Sequence, residues 1–149
     1  MESDAMIREA RSEDADAIAA LLLELGYPAT PELLRRKLEV FAQGLNDKVM
    51  VVEEDGALLG VISLHVVELF HAEGRLGRIT SLIVSEAARG RGVGTGLVEA
   101  ADRYFRDRAC VRAEVTSGDH RAEAHAFYQR RGYLPDERRF VKHYETPMP

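Results

Sequence analysis

"SEAARGRGVGTGLVEAADRY", residues 85–104, sets glycines 90, 92, 94 and 96 and the cations Arg89 and Arg91 in front of a helical pattern. From Val93 the apolar residues Leu97, Val98, Ala101, Tyr104 and Phe105 recur as on a core-facing helix. Before it, "RLGRITSLIV" (75–84) reads as a long strand. A glycine-rich turn between a strand and a helix lets backbone N–H groups converge on an anion, and the helix N-terminus adds partial positive charge. A phosphate is the natural guest, and glycine lets it approach the backbone closely. Counting excludes two common phosphate loops. Gly-x-Gly-x-x-Gly would need glycine at 95 or 97, where Thr95 and Leu97 stand, and no Gly-Lys-Ser/Thr follows. A glycine-rich turn with no ligand is the bland alternative.

Outward from this stretch, "MIREAR" (6–11) reads as an opening strand. Ser12 stands as an N-cap ahead of Glu13, Asp14 and Asp16, and Ile18, Leu21, Leu22 and Leu25 give a first helix that Gly26 and Pro28 close. Thr30-Pro31-Glu32 starts a second helix, with Leu33, Leu34, Leu38 and Phe41 apolar before Gly44. "KVMVVEEDGALLGVISLHVVELF" (48–70) holds two β-rich runs around Asp55-Gly56, a strong hairpin signal. The second run is apolar on both parities, which predicts cover on both faces. "CVRAEVT" (110–116) is the next strand, "RAEAHAFYQRRG" (121–132) a helix and "RFVKHYE" (139–145) a closing strand. The order β-α-α-β-β-β-α-β-α-β predicts an α/β sandwich around a mixed sheet.

The 149 residues suit one domain, 1–149, able to bury roughly 70% of its unfolded surface. With 46% hydrophobic and 30% charged residues, composition favours neither a disordered nor a fibrous class. A net charge of −5 argues against nucleic-acid binding, which draws on a basic surface to displace counterions, so Arg35-Arg36-Lys37, Arg130-Arg131 and Arg138-Arg139 read as solvated faces. No apolar run approaches a membrane span, and the N-terminus lacks the pattern of a signal peptide, so the expected setting is cytoplasmic. The single cysteine, Cys110, lies in a strand and reads as a small buried hydrophobe. The five histidines have no HExxH or His-x-His spacing, and no Gly-x-Ser-x-Gly occurs, which sets aside metal and serine-triad readings.

Two stretches resemble the signatures of the GNAT superfamily of N-acetyltransferases. Arg89, Gly92 and Gly94 match its pyrophosphate motif, Arg/Gln-x-x-Gly-x-Gly/Ala. Ala124, Phe127, Tyr128, Gly132 and Tyr133 match its second signature, Ala-x-x-Phe-Tyr-x-x-x-Gly-Phe/Tyr. The element order is similar along nearly the whole chain. The resemblance implies a single GNAT domain: a mixed, mostly antiparallel central sheet of six to seven strands flanked by about four helices. It further implies acetyl-CoA as co-substrate, with its pyrophosphate on Arg89, Gly90, Arg91, Gly92, Val93, Gly94 and Thr95, and its pantetheine arm beside Ile83 and Val84. The strands around Val84 and Glu114 would part to admit the arm. Tyr128 maps to the acid that protonates the departing thiolate; the alternative is a packed aromatic at helical spacing.

The sequence departs from the family pattern twice. Arg121 stands where many relatives carry asparagine seven residues before the tyrosine, as a phosphate contact or merely on a solvated face. "RITS" (78–81) lacks the glutamate that many relatives use to deprotonate the amine. Glu114 is the candidate for that role from the neighbouring strand, or else a surface residue beside Arg112. His65, Glu68, His71 and His120 are further titratable candidates, His65 lying in an apolar run where a satisfied core histidine is usual. "HRAEAHAFYQRRGY" and "LHVVELFH" are more loosely similar to bacterial aminoalkylphosphonate and small-amine N-acetyltransferases. The implied acceptor is the primary amine of a small molecule, with a peptide amine or a non-catalytic acyl-CoA sensor as rivals. A homodimer is common in the superfamily, and the closing strand offers an edge for one.

Overall fold

A computed structural model describes residues 5–116, 122–136 and 138–146, which fall into two compact units, within 1–118 and within 119–149. The first contains β1 (Met6–Glu9), α1 (Ala15–Glu24), α2 (Pro31–Gln43), β2 (Asp47–Glu54), β3 (Ala57–Glu68), β4 (Arg75–Val84), α3 (Val93–Asp107) and β5 (Cys110–Val115). The second contains α4 (Ala122–Arg130). The sheet order is β1-β2-β3-β4-β5, with the first three pairings antiparallel and β4–β5 parallel. The mixed, mostly antiparallel character and the four helices are as expected.

The strand count is not. Five strands are described in place of the expected six to seven, and "RFVKHYE" forms none of them. Residues 138–146 have no ladder partner among the described residues; Phe140 is fully exposed and Tyr144 largely so. Strand propensity measures how well side chains fit a pleated, half-buried surface, and without a neighbouring strand it produces none. Locally, the Arg138 N–H donates instead to Asp136 Oδ1 at 3.1 Å.

The elements form where local chemistry directs them. Thr30 Oγ1 accepts the Leu33 N–H at 3.1 Å and Pro31 occupies the first turn of α2. Asp55 and Gly56 both take positive φ, the turn that matches the twist of the β2–β3 hairpin. The start of α1 differs from the expectation. Ser12 opens a single 3-10 turn rather than capping the helix, and the Asp14 carboxylate accepts the Arg11 N–H at 2.7 Å. Asp14 wins because it also binds Arg8 of β1 through both carboxylate oxygens, at 2.8 and 2.9 Å.

The central β3 is covered on both faces. Val61 joins Ala15, Ile18, Leu21, Leu38 and Val51 in a core under α1 and α2. On the opposite face Ile62 and Leu64 are fully buried, as are Leu97 and Val98 of α3. Two glycines set the approach of α3. A Cβ on Gly60 would come within 3.0 Å of Val93 Cγ1 and 3.1 Å of Leu97 Cδ1, and one on Gly77 within 2.6 Å of the Phe105 ring. One notch lies under each end of the helix. Its N-terminus is thereby fixed over the end of β4.

Arg8 also donates to Glu53 at 2.7 Å, so Asp14 belongs to a part-buried network joining β1, β2 and the start of α1. The Arg8 hydrogen bond, opposed by burial, holds the Asp14 carboxyl below the usual carboxylate range. A depressed folded value makes this contribution fully present above the unfolded value, near ~4, and lost as pH falls through the folded one. Asp14→Asn is expected to lower the unfolding free energy by about 1–3 kcal/mol at neutral pH. Urea unfolding at stepped pH should show that deficit shrinking on acidification.

Candidate active site

The turn between β4 and α3 is held from three sides. The Ser85 N–H donates to Leu59 O of β3 at 2.9 Å, the Glu86 N–H to Glu24 Oε2 of α1 at 2.9 Å, and Arg91 Nη2 to Glu54 Oε2 of β2 at 2.6 Å. Between these anchors Gly90 and Gly92 take φ of 82° and 81°, and Gly92 is the N-cap of α3. The N–H groups of Gly90, Gly92, Val93 and Gly94 have no acceptor among the described residues. A Cβ on Gly90 or Gly92 would meet nothing within 4 Å, so open space lies outside both. N–H groups at a helix N-terminus, with room beside them among the described residues, are suited to receive an anion. A pyrophosphate fits this arrangement. Arg89 is exposed beside it, whereas Arg91 is engaged by Glu54.

Ile83 and Val84 end β4, opposite Val61 and Gly60 of β3. The parallel ladder to β5 runs from Arg75↔Cys110 to Ile79↔Val115 and finishes with the Thr116 N–H on Ile79 O at 3.0 Å; from Thr80 onward β4 has no partner on that side among the described residues. An extended arm could add there by backbone hydrogen bonds, as a further strand would. At the parting point β4 is irregular: Ser63 pairs with Ser81 and Leu64 with Ile79, which leaves Thr80 as the extra residue of a bulge. The adjacent polar pair Thr80-Ser81, interrupting an otherwise apolar strand end, is the sequence signal for it.

Successive register partners Asp47, His65, Arg78 and Glu114 run across β2, β3, β4 and β5 on one face. His65 Nδ1 lies 3.0 Å from Asp47 Oδ1, its Nε2 lies 2.7 Å from Thr80 Oγ1, and its ring meets Phe41 of α2 edge-on at 5.3 Å. Thr80 Oγ1 is also 2.7 Å from Ser63 Oγ. Glu114 accepts from Arg78 Nη2 at 3.0 Å and has Arg112 Nε at 4.0 Å, so its carboxylate is engaged by two guanidinium groups. Glu68 pairs with Arg75 at 3.0 Å, and His71 is exposed in the β3–β4 connection. His120 and Arg121 lie outside the described residues. Asp47 and Thr80 went unread in the sequence because only the register joins them to His65.

Tyr128 lies on α4 in the second unit, its ring edge-on to Phe127 at 5.4 Å and to Tyr133 at 6.1 Å. The Tyr133 N–H returns to Tyr128 O at 3.0 Å, closing the helix around Gly132 at φ 94°. Cys110 is half-buried, and burial pushes its thiol up against the opposing pull of Arg75, in keeping with a packing role. Among the described residues no helix is long and apolar enough to cross a membrane.

A family model, Acetyltransferase (GNAT) family, matches residues 7–133. The chain belongs to the acetyltransferase (GNAT) family. This family uses acetyl-CoA as the acetyl donor. Among curated proteins, the aminoalkylphosphonate N-acetyltransferase of Salmonella typhimurium is 30% identical over 145 residues, covering 91% of this chain and 89% of that protein. Glucosamine 6-phosphate N-acetyltransferase 1 of Oryza sativa subsp. japonica is 30% identical over 111 residues, 72% of this chain and 66% of that one. Among solved structures, glucosamine-6-phosphate N-acetyltransferase of Arabidopsis thaliana superposes with a TM-score of 0.81 at 22% identity, covering 95% of this chain and 99% of its own. The fold is thus shared well beyond the two motifs.

The left-handed φ of Gly92 gives a test of the turn. Gly92→Ala is expected to cost about 1–2 kcal/mol of stability, since a Cβ at that φ crowds the following carbonyl. Gly96→Ala, inside the helix and in ordinary contact with Ile7 Cδ1 at 3.4 Å, should instead gain about 0.5–1 kcal/mol. Chemical denaturation of the two variants side by side reads the opposite signs.

Proposed function

We propose that this chain transfers the acetyl group of acetyl-CoA directly to the primary amine of a small molecule of the aminoalkylphosphonate kind. The observation that carries this reading is the end of the β4–β5 ladder at Ile79, beside the N–H groups of Gly90, Gly92, Val93 and Gly94, none of which has an acceptor among the described residues. In this reading the turn from Arg89 to Thr95 holds the pyrophosphate, and the edge of β4 at Ile83 and Val84 aligns the pantetheine arm. Bound acetyl-CoA supplies an activated acyl carbonyl, and the chain's residues orient the attacking amine and move protons. By their names, both curated relatives above act on amines that carry a phosphonate or phosphate group, which supports an anionic small amine as acceptor. No activated nucleophile is in evidence among the described residues, so acyl transfer without a covalent enzyme intermediate is the simpler course. A small soluble acceptor also accords with a cytoplasmic setting.

Thiol release from acetyl-CoA across aminoalkylphosphonates, phosphorylated amino sugars, polyamines, amino acids and short peptides tests the reading. Turnover is expected with amines bearing a phosphonate or phosphate, and to fall when that group is removed. Preference for peptides would overturn the small-molecule assignment; calorimetric acetyl-CoA binding with no turnover on any amine would overturn the enzyme and leave a sensor.

Tyr128 is proposed as the acid for the leaving thiolate, because a phenol is protonated at neutral pH and can donate. Tyr128→Phe should retain acetyl-CoA binding and lose about 10²-fold or more in kcat, the range for removing a general acid. Unchanged turnover removes Tyr128 from the mechanism.

A further inference from the structure

We propose that Thr80, His65 and Asp47 form a proton relay that deprotonates the acceptor amine, with the Thr80 hydroxyl touching the substrate and His65 as the base behind it. The proposal rests on the acetyltransferase reading above and adds the base which that reading lacks, since residues 78–81 hold no carboxylate.

Hydrogen-bond chemistry orients the relay. A carboxylate only accepts, so Asp47 Oδ1, 3.0 Å from His65 Nδ1, fixes the proton on Nδ1 and leaves Nε2 as an acceptor. Nε2 therefore takes the Thr80 hydroxyl proton across 2.7 Å. The Thr80 oxygen, having given its one proton, accepts the hydroxyl proton of the buried Ser63 across 2.7 Å and retains a second lone pair. Thr80 is exposed, whereas His65 and Ser63 are not. It is also the bulge residue just past the last β4–β5 pairing among the described residues, three residues before Ile83. The lone pair thus belongs to the most exposed residue of the relay, where an incoming ammonium can meet it.

The surroundings of the imidazole are defined. Asp47 faces it from β2, Arg78 is its register partner on β4, and Arg78 is bound to Glu114 of β5, which also has Arg112 at 4.0 Å. From α2 the uncharged Phe41 ring meets it. The Asp47 carboxylate stabilises the imidazolium that forms on proton uptake, and Glu114 holds the Arg78 guanidinium that would oppose it.

The proton count closes. An ammonium has three protons and the product amide nitrogen has one. The first leaves before attack: it passes to Thr80 Oγ1 as the hydroxyl gives its own proton to His65 Nε2, yielding neutral amine and imidazolium. The amine nitrogen then forms its bond to the acyl carbon as the carbon–sulfur bond breaks with its electron pair on sulfur, and the second proton ends on that sulfur. The imidazolium returns its proton to solvent, so one H⁺ is released for each acetyl transferred.

The test is the pH profile of kcat/KM for the acceptor amine in the full chain, wild type against His65→Gln, Thr80→Val and Thr80→Ser, with calorimetric titration of acetyl-CoA on each. His65→Gln keeps a hydrogen-bonding amide but has no base. At neutral pH it and Thr80→Val should lose about 10²-fold or more. The loss should narrow as pH rises and the amine arrives already neutral. Thr80→Ser, which keeps the hydroxyl, should recover most of what Thr80→Val loses, and acetyl-CoA affinity should be unchanged throughout. An active wild type with His65→Gln within about threefold of it, in the range where no general base has been removed, overturns the relay. So does a deficit equal at every pH, which is the mark of a structural role. A wild type that acetylates no amine instead fells the acetyltransferase reading, and the relay with it.

Discussion

Everything at the candidate site depends on how closely α3 lies on the sheet. Gly60 and Gly77 supply two notches, one filled by Val93 and Leu97, the other by the Phe105 ring. Neither leaves room for a Cβ without moving the helix. The spacing between notches fixes the helix along its axis as well as its height. Its first turn is then held over the end of β4, where Ser85, Glu86 and Arg91 tie the preceding turn to β3, α1 and β2. A helix N-terminus binds an anion only within its first turn, so a shift of one residue would misplace the N–H groups. Packing on one face of the sheet thereby sets the electrostatics at its edge.

Strand β4 has different neighbours along its two halves. Up to Ile79 it is paired on both sides; from Thr80 it is paired with β3 alone among the described residues. The bulge marks the change. Thr80 is the residue inserted between the partners of Leu64 and Ser63, and it lies against both Ser63 and His65. The parallel pairing of β5 holds the other half in place, with Arg78 and Glu114 bridging the two strands.

The row Asp47, His65, Arg78 and Glu114 alternates acceptor, imidazole, cation and acceptor across four strands. Asp47 has a hydrogen-bonding partner in His65 and Arg78 one in Glu114, so each ionisable side chain of the row meets a polar neighbour. Glu114, singled out in the sequence as a carboxylate facing the site, serves in this row as the partner of Arg78 and Arg112. His65, read as a satisfied residue of an apolar run, is satisfied indeed, but by a carboxylate and a reachable hydroxyl.

What the sequence determined by itself was whatever short-range physics decides. The glycine pattern and the periodicity after Val93 gave the turn and helix α3, because φ preference and amphipathic spacing act within a few residues. Thr30-Pro31 and Asp55-Gly56 gave a cap and a hairpin for the same reason, and the two signatures around Arg89 and Tyr128 gave the family. Tertiary structure decided the rest. "RFVKHYE" has strand-like composition, yet it lacks a ladder partner among the described residues. Ser12 gave way to Asp14 because Arg8, on another element, made Asp14 the better anchor. Asp47, His65 and Thr80 are separated by 18 and 15 residues, and only strand register and a one-residue bulge bring them together. Register is a property of pairs of strands; no single stretch of sequence contains it.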